Sequence, residues 1–495
     1  MMDGRASTGI YDDPKEVHRM RVRLGVIAGR LADLIARLGP GMGRSLPGWT
    51  AIKVGGLDVV RYLASKPRYG VVLITGTNGK TTTTRLTCSL LSRVAKTSCN
   101  YDSNTVNALT TALLRAKDAD IVVAEYGIRN KRFGIPDTVC RLVNPTAITY
   151  TTISKEHYKE NLDAEDPFEA YFDAKRSLAR PLKGGALVLN ADDPRVAYIR
   201  EEKKGDPVDY TWYGLEVENI EDPTPPTDDP DCPVCGSPLG YERRYFNHKG
   251  VYGCPSCGFS RPDPDVKVVR LSGGPDEWNL LIEYNVKNVV TGENLEGEVK
   301  FHLPLPGLHN VYNSVAAVAT FLTATPETEG HERVVRDVME DIDPTAFIPP
   351  GRFEILDVNG KPVGVGQGDN GDAFKANANL MLEEAGGVVT AVYATPDEGE
   401  DPIFRMHRRI LEALKPEKVH VFPGRESVEA AERYAEDLSE DFDVEFHPIP
   451  HERMSEKVRE MAEVCRREQG PVFASGCGPE HDMWDALKRE LRGGG

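Results

Sequence analysis

One stretch, Gly70-Val71-Val72-Leu73-Ile74-Thr75-Gly76-Thr77-Asn78-Gly79-Lys80-Thr81-Thr82, limits what this chain can fold into more than any other. An apolar run closed by a turn reads as a buried strand. Gly76 and Gly79 supply the turn, and Lys80-Thr81-Thr82 opens a segment continued at helical spacing by Leu86 and Leu90. A strand turning through glycines into a helix start aims backbone N–H groups and the positive helix end at an anion. The lysine then reaches outer phosphates, and a hydroxyl reaches Mg²⁺. The spacing is shorter than GxxxxGK[ST], since Ile74 stands where that pattern has its first glycine. A solvated lysine on an ordinary turn does not explain why strand, turn and helix start coincide, so Gly76–Thr82 is expected to bind ATP.

A chain of 495 residues predicts two or three domains. A net charge of −17 argues against a broad nucleic-acid-binding surface, which needs clustered Lys and Arg. No apolar run approaches the roughly 18–20 residues that span a bilayer, and no signal-peptide pattern opens the chain. The expectation is a cytoplasmic protein without a transmembrane segment. Nine cysteines in this length do not make a disulfide framework, and four of them form two CxxC pairs, which points to metal in a reducing compartment. Cys232-Pro-Val-Cys235 and Cys254-Pro-Ser-Cys257 have the spacing of a four-thiolate zinc ribbon. A redox dithiol needs no second copy, and four thiolates leave no position for substrate, so the expected role is structural. Ribbons also bind nucleic acid, and Arg243, Arg244 and Lys249 lie nearby, but the acidity of the chain disfavours that use.

Residues 1–14 are polar and read as poorly ordered. Residues 15–38 read as a helix ended by Gly39-Pro40-Gly41, with Val17, Met20, Leu24, Ile27, Leu31, Leu34 and Leu38 at 3,4 spacing and Arg19, Arg21, Arg23, Arg30 and Arg37 around them. A basic amphipathic helix can touch a membrane surface. Packing of the stripe on the protein's own body or on a partner is the favoured reading. Arg44–Ala51 reads as a loop, followed by a short helix near Leu57–Leu63.

From Val71 onward strands alternate with helices: Asp120–Glu125, Ala147–Ile153 and Ala186–Leu189 as strands, and Phe168–Ala179 as a helix. Such alternation predicts a mainly parallel sheet with ligands at the carboxyl ends of its strands. A Pro- and Asp-rich shift at Asp222–Asp231 precedes the ribbon. Strand-like segments follow at Val266–Leu271 and Leu280–Tyr284, then helices at Gly307–Phe321 and within Pro326–Asp343. After the linker Pro349-Pro350-Gly351 a second alternating set begins, with strands at Val388–Tyr393, Val419–Phe422, Val444–His447 and Val472–Ser475. The expected fold is α/β: a P-loop central domain with a parallel-rich sheet and an inserted zinc ribbon, plus a C-terminal Rossmann-like α/β domain. The boundaries read as 1–67 for an N-terminal helical segment, 68–345 for the central domain (ribbon about 228–262) and 346–495 for the C-terminal domain.

Several motifs, in order, resemble the Mur ligase family: Gly76–Thr82, Glu125, Glu156-His157, Ala174-Lys175-Arg176-Ser177-Leu178, Asn190-Ala191-Asp192-Asp193-Pro194, Gly307-Leu308-His309-Asn310-Val311-Tyr312-Asn313 and Gly351-Arg352-Phe353-Glu354. The resemblance covers roughly residues 68–360 and continues more weakly beyond. It implies that Gly76, Thr77, Asn78, Gly79, Lys80, Thr81 and Thr82 cradle ATP. It further implies that Thr81, Glu125 and His157 hold Mg²⁺, and that Lys175 is the lysine many members carbamylate into an acidic metal ligand. Asn310 would contact adenine, Arg352 the γ-phosphate or the second domain's edge of the nucleotide, and Asp369 the nucleotide. Lys80, Glu125, His157, Lys175 and Arg352 are therefore the expected catalytic residues. Arg44–Ala51 and the ribbon resemble the MurT-type branch and the archaeal pseudomurein peptide ligases. The residues before the phosphate loop are too few for the UDP-binding domain of standard members.

This resemblance implies an ATP-dependent amide (peptide) ligase acting through an acyl phosphate. Its expected substrates are a UDP-linked or lipid-linked cell-wall peptide precursor of the pseudomurein type and an amino acid. One alternative is a MurT-like subunit that amidates a glutamate with ammonia from a glutaminase partner. A glutaminase partner is disfavoured because Gly366–Phe374 departs from the MurT pattern. A non-catalytic nucleotide-binding scaffold is the alternative of a different class.

Overall fold

The computed structural model describes residues 14–493 apart from 39–42, 102–104, 219, 221, 275–276, 348–350 and 479–481. The polar leader, the helix stop at Gly39-Pro40-Gly41 and the Pro349-Pro350 linker lie outside the described residues.

Eleven strands precede residue 310: β1 (Val71–Thr75), β2 (Thr97–Asn100), β3 (Ile121–Glu125), β4 (Ala147–Tyr150), β5 (Ala186–Asn190), β6 (Asp209–Leu215), β7 (Gly240–Phe246), β8 (Lys249–Gly253), β9 (Val266–Gly273), β10 (Trp278–Lys287) and β11 (Asn294–Leu303). Nine of them form one sheet, in the order β11-β10-β9-β6-β5-β4-β1-β3-β2. Every pairing from β9 to β2 is parallel, while β9–β10 and β10–β11 are antiparallel. The burial patterns explain the division. Every residue of β1, β3, β4 and β5 is buried, as a parallel strand covered on both faces requires. By contrast β10 alternates buried and exposed positions and so keeps one face in water. Strands β3 and β4 flank β1, so the chain leaves the end of β1 at a point where strand order reverses, the usual place for a ligand crevice. Across this sheet lies the helix Leu308–Ala324, buried from Val311 to its end.

A second, six-stranded sheet is built from β12 (Glu354–Val358), β13 (Lys361–Gln367), β14 (Thr390–Ala394), β15 (Lys418–Phe422), β16 (Asp443–Phe446) and β17 (Val472–Gly476), in the order β12-β13-β17-β14-β15-β16. Only β12 runs antiparallel in it. The α/β architecture expected from the alternating pattern is therefore present in both halves. Strands β7 and β8 pair as a separate hairpin.

Two expectations fail near the N-terminus. Leu46–Gly55, which overlaps the loop expected at Arg44–Ala51, is a helix, because Pro47 sits at its start, where a missing N–H costs nothing. The helix Pro14–Leu38 forms, but with the opposite face buried. Val22, Gly25, Val26 and Gly29 pack inward, while Val17, Met20, Leu24, Ile27, Leu31, Leu34 and Leu38 are all exposed. Close approach decides this. A Cβ on Gly25 would lie 2.7 Å from the Ala51 carbonyl oxygen, so the glycine face lets two helix backbones meet as no large side chain would. A third departure is covalent: Cys88 on the phosphate-loop helix is disulfide-bonded to Cys99 on β2, where no disulfide was expected.

Candidate functional site

Gly79 caps the helix Lys80–Ser92 at φ 81°, and a Cβ there would fall 2.1 Å from Asn313 Oδ1. Neither the backbone conformation nor the space admits another residue without strain. The loop is pinned to the end of β4. Thr77 N donates to the Thr152 carbonyl at 2.7 Å, and Thr151 Oγ1 donates to the Asn78 carbonyl at 2.6 Å. Lys80 Nζ donates across the loop to the Thr77 carbonyl at 2.6 Å, and Thr81 Oγ1 donates to Glu125 Oε2, at the tip of β3, at 2.7 Å.

Lys175 is buried on the helix Pro167–Ser177, and its Nζ donates to the Gly76 carbonyl at 2.6 Å. Burial and the charge of Lys80 hold its ammonium well below the ordinary lysine range, against the pull of Glu156 and Glu125. His157 has φ 57°, an uncommon conformation for a residue with a side chain. Its Nδ1 meets Glu160 Oε1 at 3.1 Å and its ring packs edge-on to Tyr171, whose hydroxyl touches Thr77 Oγ1 at 2.8 Å. Burial alone would raise the Glu160 carboxyl, but the contact with His157 holds it at about 2.

The C-terminal half supplies the facing wall. Arg352 is half-buried, in the field of Glu125, Asp369 and Glu156. Asn78 and Asn370 exchange side-chain hydrogen bonds of 3.0 and 3.2 Å across the cleft. Burial pushes the Asp369 carboxyl up to about 6, against the pull of Arg425 and with the help of Glu156. Because folding raises this pKa, the folded state holds the proton more tightly than the unfolded chain. The contribution of Asp369 to stability is full below about pH 4 and is lost as pH rises through 6. Asp369→Asn is expected to flatten the thermal midpoint between pH 4 and 7. An unchanged slope over that window contradicts this account.

Sulfur geometry fits the expected zinc site. Cys232 Sγ lies 3.6 Å from Cys257 Sγ, and Cys235 Sγ lies 3.5 Å from Cys254 Sγ. A tetrahedron of about 2.3 Å zinc–sulfur bonds has edges of about 3.8 Å. Two matching turns build the site, with Gly236 N donating to the Cys232 carbonyl and Gly258 N to that of Cys254. The other convergent group among the described residues is His420, Glu445 and His447, in which Glu445 also pairs with Lys418 and Arg467. Of the expected Mg²⁺ ligands, Thr81 and Glu125 are joined directly to each other, while His157 is joined to Glu160.

The tip of the β7–β8 hairpin holds residues whose role sequence reasoning missed. Asn247 and Lys249 both bind Asp372, on the helix Gly371–Ala385 of the C-terminal half; the Lys249 contact is 3.2 Å. Ser154 Oγ donates to the same carboxylate at 2.6 Å, and His248 Nε2 meets Asp193 Oδ2 at 3.1 Å. Through these contacts the ribbon joins the two halves beside a cavity lined by Gly79, Asn310, Asn313, Arg352, Lys249 and Asp372. Asn310 itself bonds Asn313 and the Pro306 carbonyl. The spacing of the cysteines located the ribbon, but nothing local in Asn247-His248-Lys249 says what the tip reaches. Removing one partner of a buried ion pair typically costs about 3–5 kcal/mol. Lys249→Met is expected to destabilise at the lower end of that range, about 3 kcal/mol, read from the urea midpoint, and Lys249→Met with Asp372→Leu should recover part of it.

A glycine-turn phosphate loop on a parallel sheet, closed by a second α/β half that brings arginine and carboxylate to its mouth, defines a two-lobed nucleotide-binding fold. That fold is the Mur ligase fold. Residues 74–224 match the family model described as the Mur ligase middle domain. The chain is similar to the MurT subunit of lipid II isoglutaminyl synthase from Streptococcus pneumoniae, at 27% identity over 61% of this chain and 62% of that protein. Over 30% of its length it is 34% identical to UDP-N-acetylmuramoylalanine–D-glutamate ligase of Cupriavidus metallidurans, covering 29% of that protein. A pseudomurein peptide ligase type C from Methanothermus fervidus superposes with a TM-score of 0.63 at 24% identity, covering 88% of this chain and 80% of that one. MurF from Acinetobacter baumannii superposes at 0.60 and 18% identity, over 88% and 80%. The match spans about 62% of the length of the MurT relative.

Proposed function

We propose that the chain is an ATP-dependent carbon–nitrogen ligase that activates a peptide carboxylate as an acyl phosphate and joins it to an amine, releasing ADP and phosphate. Its substrate on this reading is a cell-wall peptide precursor, UDP-linked and of the pseudomurein type, and the amine belongs to an amino acid. The observation that carries the reading is the convergence of the phosphate loop, the Thr81–Glu125 pair and buried Lys175 on one side of a cleft with Arg352 and Asp369 on the other.

The chemistry needs positioning and charge neutralisation more than covalent help. Backbone N–H groups of Gly76–Thr82 face the phosphates, with Lys80 set at the outer ones. Asn310 and the helix start at Gly307 offer the adenine a polar edge. Arg352, half-buried in the field of Glu125, stabilises charge on the γ-phosphate as the carboxylate attacks. Thr81, Glu125 and His157 have the oxygen and imidazole donors that would hold Mg²⁺, which when bound neutralises phosphate oxygens. Lys175, its ammonium disfavoured by burial, presents the free amine that carbamylation requires. The attacking amine needs no strong base if it binds unprotonated.

The MurT similarity over 61% of the chain favours one second reading, amidation with ammonia supplied by a glutaminase. A phosphate-release screen of UDP-linked peptides against each amino acid and ammonia separates the two. Release with one amino acid supports the peptide ligase. Release with ammonia alone, or capture of a glutaminase, supports amidation.

A further inference from the structure

We infer that the N-terminal helix Pro14–Leu38 is an interfacial anchor that lays its outward face on an anionic lipid bilayer. The stripe Val17, Met20, Leu24, Ile27, Leu31, Leu34 and Leu38 is exposed along its whole length, from 41% at Val17 to 84% at Leu38, and Ile35 beside it is 69% exposed. No described residue covers it. A row of this size on a water-facing surface marks a contact with something else.

Charge selects the occupant. The helix carries six Lys and Arg against two acids in a chain of net charge −17. At 3.6 residues per turn, Arg23 and Arg30 fall along one margin of the stripe and Arg21 along the other, all exposed. One acid, Asp33, is buried and already paired with Arg37 and Arg115. A second copy of this helix would set arginine against arginine on both flanks, where helix pairs need opposite charges. An apolar face rimmed by arginine matches acyl chains below and anionic headgroups around them. No helix among the described residues is long and apolar enough to cross a membrane, so the contact is one of lying on the surface.

The inference stands apart from the ligase reading and is tested without it. The full chain is floated with phosphatidylcholine vesicles and with vesicles containing about 30% phosphatidylglycerol, at about 50 mM and about 500 mM salt. Flotation is expected with the anionic vesicles at low salt, falling several-fold at high salt and with neutral lipid. Leu24→Asp with Leu31→Asp should lose about tenfold, and Arg23→Glu with Arg30→Glu a similar factor on anionic vesicles. Because the replaced side chains are exposed, both variants should keep the wild-type melting curve. Absence of wild-type flotation overturns the inference, as does flotation unchanged by Leu24→Asp with Leu31→Asp. A concentration-dependent dimer in light scattering that the same variant dissolves assigns the face to a second copy and also overturns it.

Discussion

Lys80→Ala is expected to lower ATP-dependent phosphate release by about a thousandfold while leaving the melting temperature almost unchanged. Lys80 is half-buried, and among the described contacts its Nζ bonds only to the Thr77 carbonyl, so its removal leaves no buried charge without a partner. Its loss is felt when charge builds on the transferred phosphoryl group, where one missing donor typically costs 10²–10³-fold. A point charge facing phosphate has no neutral substitute, which places this residue at about the upper end of that range. The result also separates a ligase from a nucleotide-binding scaffold. Full retention of turnover by Lys80→Ala would remove the acyl-phosphate mechanism.

The second large effect is expected from the ribbon. Stripping zinc with a chelator, or replacing Cys232 and Cys257 by serine, should lower the melting temperature and reduce phosphate release by about 10²-fold. The segment around β7 and β8 has only a two-stranded sheet of its own, and a lone hairpin is marginal in water. Structural zinc supplies on the order of 10 kcal/mol to such modules. If the hairpin melts, Asp372 loses Asn247 and Lys249, and Asp193 loses His248. Two buried carboxylates at the junction of the halves are then left short of partners. A chelated protein of known zinc content that keeps its melting curve and its turnover would show that the ribbon is dispensable. Cys140→Ser serves as the thiol control, since Cys140 is buried elsewhere, on the helix Pro136–Val143.

How much was legible depended on how local each signal is. The strand, turn and helix start of Gly70–Thr82 were readable because loop chemistry and hydrophobic period agree over a few residues. The cysteine spacing was readable for the same reason, and the four sulfurs converge as that spacing requires. The helix Leu46–Gly55 was missed because Pro47 and Gly48 are breakers in general, although a proline at the first turn is not. The helix Gly371–Ala385 was also missed: its start, capped by Asn370 accepting from Ala373 N, looked like loop sequence between strands.

The N-terminal helix marks the boundary most clearly. Its length and its 3,4 stripe follow from sequence, because they depend on the 3.6-residue turn alone. Which face is buried does not, because that is a competition between partners. Gly25 and Gly29 allow a backbone approach that outweighs the larger apolar area on the other side. The site divides in the same way. Sequence alone determined the α/β class, the phosphate loop and the two CxxC pairs, all carried by neighbours along the chain. Only the tertiary structure brought Lys249 to Asp372 and Lys175 to Gly76, pairs 123 and 99 residues apart. Such pairs form because a buried charge has to find a partner, and the folded topology decides which one is within reach.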